Sequence, residues 1–228
     1  MKLAIFCDFD ETITATNVTD AVLEKFADPL WRAIQADWVA GKMSAREVLQ
    51  KQMPLITARS RELDAFIDTV EVDPFFRNFL RLCAKNNDSV SILSDGFDYW
   101  IERILRREGS RLDGAIDQIK IFSCSLRLDG GRVAISFPFF PQGCIHGCAT
   151  CKPALFDRLR AGAEKTIVIG DGVSDILLAD KADLVLAKSA LGKFCRQKGI
   201  HCRRFKDFRD VIRIINTFRL DLLEAHDG

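Results

Sequence analysis

Four short apolar segments recur along the chain without the strict alternation of polar and apolar residues that marks a sheet exposed on one face. They span residues 3–7, 90–93, 166–169 and 183–187, and β-branched residues are common in them. Continuous apolar runs of this length are typical of parallel strands buried on both faces. Between these runs, residues 97–109 and 153–162 have helical spacing, with Pro153 where a helix start tolerates proline. The alternation predicts a doubly wound, Rossmann-like α/β core with a parallel sheet.

Two regions depart from this alternation. Residues 119–140 contain two β-prone runs around 129–131, an Asp-Gly-Gly sequence, which predicts a β-hairpin excursion. Residues 15–84 carry only helical patterns, and an ordinary crossover between strands is far shorter. The clearest of these patterns lie at 18–27, 30–41 and 44–53. We therefore predict a core domain formed by residues 1–14 and 85–228, with residues 15–84 inserted as a helical cap domain.

Composition narrows the class of protein. The chain has 228 residues, of which 48% are hydrophobic, so it can bury a substantial core. Its 33 basic and 32 acidic residues are nearly balanced, which gives no reason to expect a nucleic acid or a membrane surface as partner. No apolar run approaches the roughly 18–20 residues of a membrane helix, and the first apolar run meets Asp8 too early for a secretory signal. We expect a cytoplasmic protein, monomeric or homodimeric, whose eight cysteines are reduced.

Polar residues gather where the predicted strands end. Asp8 and Asp10 follow the first strand, Ser94, Asp95 and Gly96 the second, and the segment GDGVSD (170–175) the third, while Lys152 precedes the helix before that third strand. In an open α/β sheet, ligands bind beyond the carboxyl ends of the strands. Taken singly, Ser94 is typical of a helix N-cap and Lys152 of a solvated surface lysine, and Thr12 and Thr14 fit local backbone contacts as well as chemistry. Their combination at one edge of the sheet favours a functional site.

The residue types in this set suit phosphoryl transfer. Asp8 and Asp171 offer oxygen ligands to Mg²⁺, and the cation would offset the repulsion between carboxylates crowded at the first strand end. A phosphate dianion needs cationic and hydrogen-bonding partners, which Ser94, Lys152 and the backbone N–H groups near Gly96 would supply. One carboxylate would then attack phosphorus as a covalent nucleophile. A second carboxylate, two positions along the chain, would protonate the leaving alcohol.

The same residues resemble the four motifs of the haloacid dehalogenase superfamily. The match lies in DFDET (8–12), Ser94, Lys152 and GDGVSD (170–175), which also have the family's order and spacing. The resemblance implies that Asp8 is the nucleophile, which forms an aspartyl-phosphate, and that Asp10 is the general acid and base. It assigns Mg²⁺ binding to Asp8, Asp171 and the backbone carbonyl of Asp10, phosphate binding to Ser94 and Lys152, and positioning of the metal shell or of Lys152 to Asp175. Dehalogenases of the superfamily lack an acid at the position of Asp10, so its presence favours phosphate ester hydrolysis.

The cap narrows the resemblance to the phosphoserine-phosphatase-like branch. Residues 31–53, the hairpin ending in FPFF (137–140) and the cysteine-rich run before Lys152 are similar to the 2-hydroxy-3-keto-5-methylthiopentenyl-1-phosphate phosphatases of methionine salvage. The resemblance implies a small phosphorylated metabolite as substrate. The alternatives are phosphoserine, phosphoethanolamine and phosphocholine phosphatases, a phosphomutase of the same superfamily, and a non-catalytic phosphate- or zinc-binding module.

The cap sequence can be compared with what a phosphoserine phosphatase needs to bind its substrate. In phosphoserine phosphatases a cap Glu is followed five residues later by an Arg that receives the substrate carboxylate. Glu47 matches the first position and is a tentative substrate residue, but the second position holds Gln52. A neutral amide cannot form the bidentate charged pair that a carboxylate favours, although Arg46 or Arg59 could compensate. Because of Gln52, we rank phosphoserine as a less favoured substrate than an uncharged or enolic phosphate monoester.

One cysteine-rich run stays open between three interpretations. Cys144, His146, Cys148 and Cys151 have the types and spacing of zinc ligands, although structural zinc sites usually take two ligands from elsewhere in the chain. Local packing and redox sensing are the other two interpretations. Because the run ends directly before Lys152, oxidation or metal loss there would reach the predicted phosphate site.

Overall fold

The computed structural model describes residues 1–109, 119–129, 132–144 and 147–224. The strands are β1 (Leu3–Cys7), β2 (Ser89–Phe97), β3 (Ile119–Asp129), β4 (Arg132–Ser136), β5 (Lys165–Gly170), β6 (Leu184–Ala187) and β7 (Cys202–Arg204). The α-helices are α1 (Val18–Phe26), α2 (Trp31–Val39), α3 (Ala45–Gln52), α4 (Ser60–Ile67), α5 (Phe76–Lys85), α6 (Asp98–Gly109), α7 (Lys152–Leu159), α8 (Ser189–Lys198) and α9 (Phe208–Glu224). Short 3₁₀ segments lie at Met53–Leu55 and Val173–Leu178.

The described strands form one sheet in the order β4-β3-β2-β1-β5-β6-β7. Every neighbouring pair is parallel except β3 and β4, so the predicted doubly wound α/β core is confirmed. All of β1 is buried, and its alternate side chains, such as Ile5 and Phe6, pack into two separate hydrophobic clusters. Burial on both faces explains why this strand is apolar throughout. Ile5 lies beside Val90 of β2 and Ile167 of β5, so the carboxyl ends of these three strands share one edge.

The hairpin is continuous with this sheet. β3 pairs with β2 as far as Cys124 and with β4 from Ser125 onward. The antiparallel pairing of β3 with β4 confirms the predicted hairpin, while the predicted turn residues 130–131 lie outside the described part of the chain. The first half of β3 is therefore a strand of the core sheet, which the sequence did not indicate.

Strand β2 extends beyond the apolar run at 90–93 that predicted it. It continues to Phe97, and its pairing with β3 shifts in register between Leu93 and Phe97. Ser94 lies in this irregular stretch, so it is a strand residue and not the N-cap of α6. A register shift at the end of a strand redirects side chains, which is common beside active sites.

Residues 15–84 are described throughout and form helices, as their sequence predicts. An isolated bridge between Thr14 and Val72 joins the points where the chain leaves β1 and returns toward the sheet. Helix α3 begins with a capping box in which Ser44 and Glu47 each bond the other's backbone N–H. The hydrophobic pattern did not predict α4 (Ser60–Ile67) as a separate helix.

Helix α5 packs beside the sheet. Phe76 and Phe79 both contact Phe208 of α9, and the ring centroids are 5.0 Å apart in each pair. All three side chains are almost completely buried in the cluster that contains Ile5 of β1. The sequence-based boundary at residue 84 assigns α5 to the cap, whereas this packing favours a boundary before Phe76. We keep the division into core and cap as a proposal with that revised boundary.

Helix α9 is the last described helix, and its apolar face covers the sheet. Phe208, Val211, Ile214 and Ile215 are its buried residues, spaced as one face of a helix. Within the described residues, no helix is both long enough and apolar enough to cross a membrane.

Candidate active site

The carboxyl edge of the sheet brings together side chains that are far apart in the sequence. Asp8 follows β1 directly, and Asp171 follows β5 directly. Lys152 is the first residue of α7, not the residue before that helix as the sequence predicted. Asp175 lies in the 3₁₀ segment after β5. Because β1 and β5 are parallel neighbours, their ends deliver these groups to one place.

Lys152 links two of the carboxylates. The residue is 1% exposed, and its Nζ lies 2.9 Å from Oδ1 of Asp8 and 2.6 Å from Oδ1 of Asp175. Burial opposes the charged form, but Asp175, Asp8 and Asp95 outweigh it and raise the pKa of Lys152 above its ordinary value. The lysine is therefore a fixed positive charge, which is the state that a phosphate-binding residue needs.

Asp175 connects this lysine to the loop after β5. Its Oδ2 accepts hydrogen bonds from the backbone N–H groups of Asp171, at 3.2 Å, and Gly172, at 3.1 Å. Its Oδ1 is the atom that Lys152 contacts. The carboxylate thus fixes the relative positions of Lys152 and Asp171.

An acidic triad is the natural place for a metal ion. One carboxylate oxygen from each of Asp8, Asp171 and Asp175 lies within 4.8 Å of the others, and all three residues are buried. Burial, then the charges of Asp175 and Glu11, raises the pKa of Asp171 to about 6. Burial and Asp175 also raise the pKa of Asp8, against the opposing effect of Lys152. Three carboxylates this close need a cation to stay ionised together, and oxygen ligands suit a hard divalent ion, so the residues fit Mg²⁺.

The triad differs from the sequence-based metal set in one member. That set contains Asp8, Asp10 and Asp171, with Asp10 contributing its backbone carbonyl, whereas the carboxylate that joins the cluster belongs to Asp175. Thr12 also supports the triad, because its Oγ1 donates to Oδ1 of Asp171 at 3.2 Å.

Asp10 is anchored to the first helix of the cap. Its Oδ1 accepts the backbone N–H of Val18, the first residue of α1, at 2.7 Å. Burial raises the pKa of Asp10 to about 7, although the Val18 N–H acts in the opposite direction. The Asp10 side chain thereby has one oxygen fixed and a pKa suited to proton exchange near neutral pH.

Ser94 and Gly96 face Asp10 across the site. The backbone N–H of Gly96 donates to Ser94 Oγ at 2.9 Å, so this N–H is engaged by the protein and the serine hydroxyl proton remains available to donate. A Cβ on Gly96 would lie 2.9 Å from Oδ2 of Asp10 and 3.1 Å from Ser94 Oγ. Glycine therefore provides the space in which these two side chains meet.

Trp100 brings a further donor to the same point. Its Nε1 would lie 3.4 Å from a Cβ on Gly96, so the indole faces Asp10 and Ser94. The side chain is fully buried, and Nε1 has no hydrogen-bond partner among the described residues. A buried unpaired donor is costly, and it is often explained by a ligand or water.

The cap residues named from the sequence are held inside the cap or at its edge. Glu47 is exposed and its carboxylate accepts from the N–H and hydroxyl of Ser44, at 2.8 and 2.7 Å. Gln52 is 2% exposed and its amide nitrogen donates to the Trp31 carbonyl and to Gln35 Oε1. The guanidinium of Arg46 stacks 3.9 Å from the ring centroid of Phe140, and Arg59 is exposed.

The cysteine-rich run lies directly before Lys152. The Sγ atoms of Cys144, Cys148 and Cys151 are all within 4.8 Å of one another, and none of the three cysteines forms a disulfide bond. His146, the fourth residue named from the sequence, lies outside the described part of the chain.

Sequence reasoning assigned no specific role to three supporting residues, although it placed Asp95 at the end of the second strand and left Thr12 open between backbone contacts and chemistry. Thr12 contacts Asp171 across the sheet edge, while Thr14, of the same type and in the same loop, bonds only the nearby carbonyls of Phe9 and Thr16. Asp95 accepts the backbone N–H of Thr150 at 2.7 Å and ties the end of β2 to the loop before Lys152. Trp100 is the third. A tryptophan at an apolar position of a helix pattern is typical of core packing. The sequence therefore gave no indication that the indole N–H of Trp100 lies at the site.

A charged surface cavity lies elsewhere on the molecule. It measures about 610 Å³ and lies where α4 of the cap meets α6. Arg103, on its wall, pairs with Asp64 at 3.1 Å and with Asp68 at 2.7 Å. Arg103 thus pairs with two residues, one in α4 and one directly after it, and none of the residues that line the cavity belongs to the cluster of Asp8, Lys152, Asp171 and Asp175.

Comparison with known proteins identifies the family. The profile of haloacid dehalogenase-like hydrolases matches residues 5–180. The chain belongs to this family. It is 31% identical over 214 residues to a 2-hydroxy-3-keto-5-methylthiopentenyl-1-phosphate phosphatase of Geobacillus thermodenitrificans, covering 92% of this chain and 94% of that one. A protein of the same name from Brevibacillus brevis is 30% identical, with 97% and 99% covered.

Solved structures of haloacid dehalogenase-like hydrolases share the fold. A substrate-bound phosphoserine phosphatase superposes with a TM-score of 0.68 at 19% identity, covering 93% of this chain and 97% of that one. A phospho-aspartyl intermediate analogue of phosphoserine phosphatase gives a TM-score of 0.67 at 20% identity, with 93% and 98% covered. At this identity the likeness shows the fold alone. Together with the family match and the named relatives, it confirms the predicted resemblance and the enzyme class, a phosphoric monoester hydrolase.

Proposed function

We propose that this hydrolase is an Mg²⁺-dependent phosphatase that cleaves a small-molecule phosphate monoester through an aspartyl-phosphate on Asp8. The observation that carries the proposal is the buried ion pair of Lys152 with Asp8, beside the acidic triad. Lys152 is buried and contacts both Asp8 and Asp175. Removing three charged groups from water costs free energy, so stability alone does not explain this arrangement. It suits a site that must bind a phosphoryl dianion next to a carboxylate nucleophile.

Asp8 and Asp171, with the backbone carbonyl of Asp10, would hold the Mg²⁺, and Asp175 would order both Asp171 and Lys152. When bound, the ion would neutralise charge on the phosphoryl group. Lys152 and the Ser94 hydroxyl would bind and orient the phosphoryl oxygens. Because Lys152 already bonds Oδ1 of Asp8, we assign Oδ2 as the attacking oxygen.

In the first half of the reaction, Oδ2 of Asp8 forms a bond to phosphorus as the bond from phosphorus to the ester oxygen breaks. Asp10 gives its proton to that leaving oxygen, so the alcohol departs neutral. The Val18 N–H keeps the Asp10 carboxyl turned toward the site during this transfer.

In the second half, water attacks phosphorus and gives a proton to the Asp10 carboxylate. The bond between phosphorus and Asp8 breaks, inorganic phosphate leaves, and both aspartates return to their starting states. The cycle consumes one water and one ester and involves no net oxidation or reduction.

The substrate class follows from the cap. The amide of Gln52, at the position where a carboxylate-binding Arg would stand, is buried and donates to the Trp31 carbonyl and to Gln35. Its bonds are made within the cap, so it offers nothing to a substrate carboxylate. This supports a monoester whose leaving part is uncharged or enolic, such as the methionine-salvage enol phosphate in the names of the relatives. Phosphoserine, phosphoethanolamine and phosphocholine are the alternative substrates.

A panel of phosphate monoesters ranked by kcat/KM tests the proposal. The panel contains the methionine-salvage enol phosphate, phosphoserine, phosphoethanolamine, phosphocholine and p-nitrophenyl phosphate. We expect phosphoserine to fall at least about tenfold below the enol phosphate, because a missing charge-assisted pair costs about 1.5–3 kcal/mol. A preference for phosphoserine would contradict the assignment of the cap, and no turnover of any monoester would contradict the proposed function.

We also propose a cytoplasmic protein, monomeric or homodimeric, without a nucleic acid or membrane partner. The nearly balanced charge supports this, with 33 basic and 32 acidic residues. Sedimentation of the purified chain distinguishes the two oligomeric states.

A further inference from the structure

The three clustered thiols differ from the packing cysteines of the same chain. Cys7, Cys83, Cys124 and Cys195 are at most 2% exposed and belong to the hydrophobic core clusters. Cys144 and Cys148 are partly exposed in a loop, and only Cys151 is buried. Packing of apolar sulfur therefore does not explain why three thiols converge there.

The spacing of the sulfurs suits a shared ion. Four thiolates around zinc, with Zn–S bonds of about 2.3 Å, have S···S edges of about 3.8 Å. The Sγ atoms of Cys144 and Cys151 are 3.8 Å apart, and Cys148 completes a group within 4.8 Å. The ligands need only small adjustments to reach one tetrahedral centre.

We propose that Cys144, Cys148 and Cys151 bind one thiophilic divalent ion of the zinc class, in a structural site separate from the acidic triad. Three S–H bonds break on binding, three protons pass to solvent, and three metal–sulfur bonds form, with no change of oxidation state. The fourth position is filled by a ligand from outside this set of thiols. Soft thiolates select zinc-class ions, whereas the carboxylates of the triad select hard ions, so the two sites do not compete.

The loop that carries the thiols joins the phosphate site to the cap. Cys151 is the N-cap residue of α7, whose first residue is Lys152, and the preceding N–H of Thr150 is bonded to Asp95. On the other side, Gly147 lies against the cap, because a Cβ at this position would stand 2.7 Å from Cβ of Ser44. Gly147 also has a φ of +63°, which favours glycine. An ion on the three thiols would therefore make this loop rigid. The loop would then fix the position of Lys152 at one end and the contact of Gly147 with Ser44 at the other.

Metal content of the full-length protein tests the site directly. After expression with added zinc and desalting, we expect about one zinc per chain in the wild type. We expect at least a tenfold loss of zinc in Cys144→Ser and in Cys148→Ser. Cys202→Ser is the matched control, because Cys202 is also partly exposed but lies outside the cluster, and it should retain the wild-type content.

A second measurement uses the wild-type protein, so its result does not depend on whether a serine variant folds. In the wild-type protein, the three thiols should resist alkylation until a strong chelator is added, as read by peptide mass spectrometry. Exchange with Co²⁺ should give the intense thiolate charge-transfer absorption of a tetrahedral site.

Three results would overturn the proposal. One is zinc far below one per chain together with alkylation that a chelator does not change. Another is a disulfide among the three cysteines in the freshly purified protein, and the third is full zinc retention in the serine variants. None of these readouts uses turnover, so a failed zinc site leaves the phosphatase proposal untouched.

Discussion

Lys152 Nζ lies 2.9 Å from Asp8 Oδ1 although 144 positions separate the two residues. The contact forms because β1 and the start of α7 meet at the carboxyl edge of the sheet. It places a permanent positive charge beside the proposed nucleophile, and Asp175 secures the lysine from its other side.

Replacement of Lys152 by Met should abolish turnover and destabilise the fold. It leaves the carboxylates of Asp8 and Asp175 buried without their cation, which costs about 3–5 kcal/mol in the free energy of unfolding. Lys181→Met is the matched control, because Lys181 pairs with Asp157 at 2.9 Å on the surface. That pair is worth about 0.2–1 kcal/mol. Denaturant unfolding and kcat/KM measure both effects, and equal behaviour of the two variants would contradict the role of Lys152.

Replacement of Gly96 by Ala should lower kcat with little change in stability. The added Cβ would approach Oδ2 of Asp10 to 2.9 Å, and the Val18 N–H restrains the other oxygen. A displaced acid catalyst typically costs about 10²-fold in rate. Gly172→Ala is the control, because its nearest neighbour would be an Asp175 oxygen at 3.8 Å. If Gly172→Ala loses as much kcat as Gly96→Ala, crowding of Asp10 is not the cause.

Replacement of Trp100 by Phe should weaken catalysis while the protein still folds. Phenylalanine keeps an aromatic side chain but is smaller than the fully buried indole, so we expect some loss of stability from the cavity, partly offset by removal of an unpaired buried N–H. If the indole donates to bound substrate, kcat/KM should fall about tenfold, as for one lost hydrogen bond of about 1.5 kcal/mol. Trp31→Phe removes the other buried indole N–H that lacks a partner in the described structure, in cap helix α2, and should leave kcat/KM unchanged. Unchanged kinetics in Trp100→Phe would exclude Trp100 as a substrate donor.

Mg²⁺ should both activate and stabilise the protein. EDTA should remove turnover of p-nitrophenyl phosphate, and added Mg²⁺ should restore it. Binding to the folded state alone stabilises by about 2.7 kcal/mol at a hundredfold excess over Kd, which raises Tm. Asp171→Asn should lose this Mg²⁺-dependent rise while keeping or raising the metal-free Tm, because it relieves repulsion within the acidic triad. A Tm rise of wild-type size in Asp171→Asn would place the ion elsewhere.

The sequence predicted the parts of the fold whose signal is local. The unbroken apolar run at 3–7 predicted β1 because both of its faces are buried. The end of β2 was missed because Ser94 interrupts the apolar pattern, and β7 because Cys202–Arg204 is short and largely exposed. Placement of α5 depends on the contact of Phe76 with Phe208, which lies 132 positions away and leaves no local pattern.

The sequence proposed several members of the site, whereas the contacts between them depend on the fold. Motif order named Asp8, Lys152 and Asp171, and the resemblance assigned Asp175 to the metal shell or to Lys152. Lys152 donates to Asp175 in the structure, but the motif could not decide between these two contacts because they depend on how the loop after β5 folds. Thr12 and Thr14 look alike in sequence, yet only Thr12 reaches Asp171, because the loop turns between them. Such differences arise from backbone geometry that a motif does not contain.

The most direct test of the account is to locate the phosphoryl group during turnover. Wild-type protein mixed with Mg²⁺ and p-nitrophenyl phosphate is quenched in acid, reduced with borohydride and mapped by peptide mass spectrometry. Borohydride converts an aspartyl-phosphate into homoserine, so we expect homoserine at position 8, none without substrate, and neither homoserine nor turnover in Asp8→Asn. Continued turnover with Asp8 unmodified, or homoserine at any other position, would contradict the assignment of Asp8 as the nucleophile.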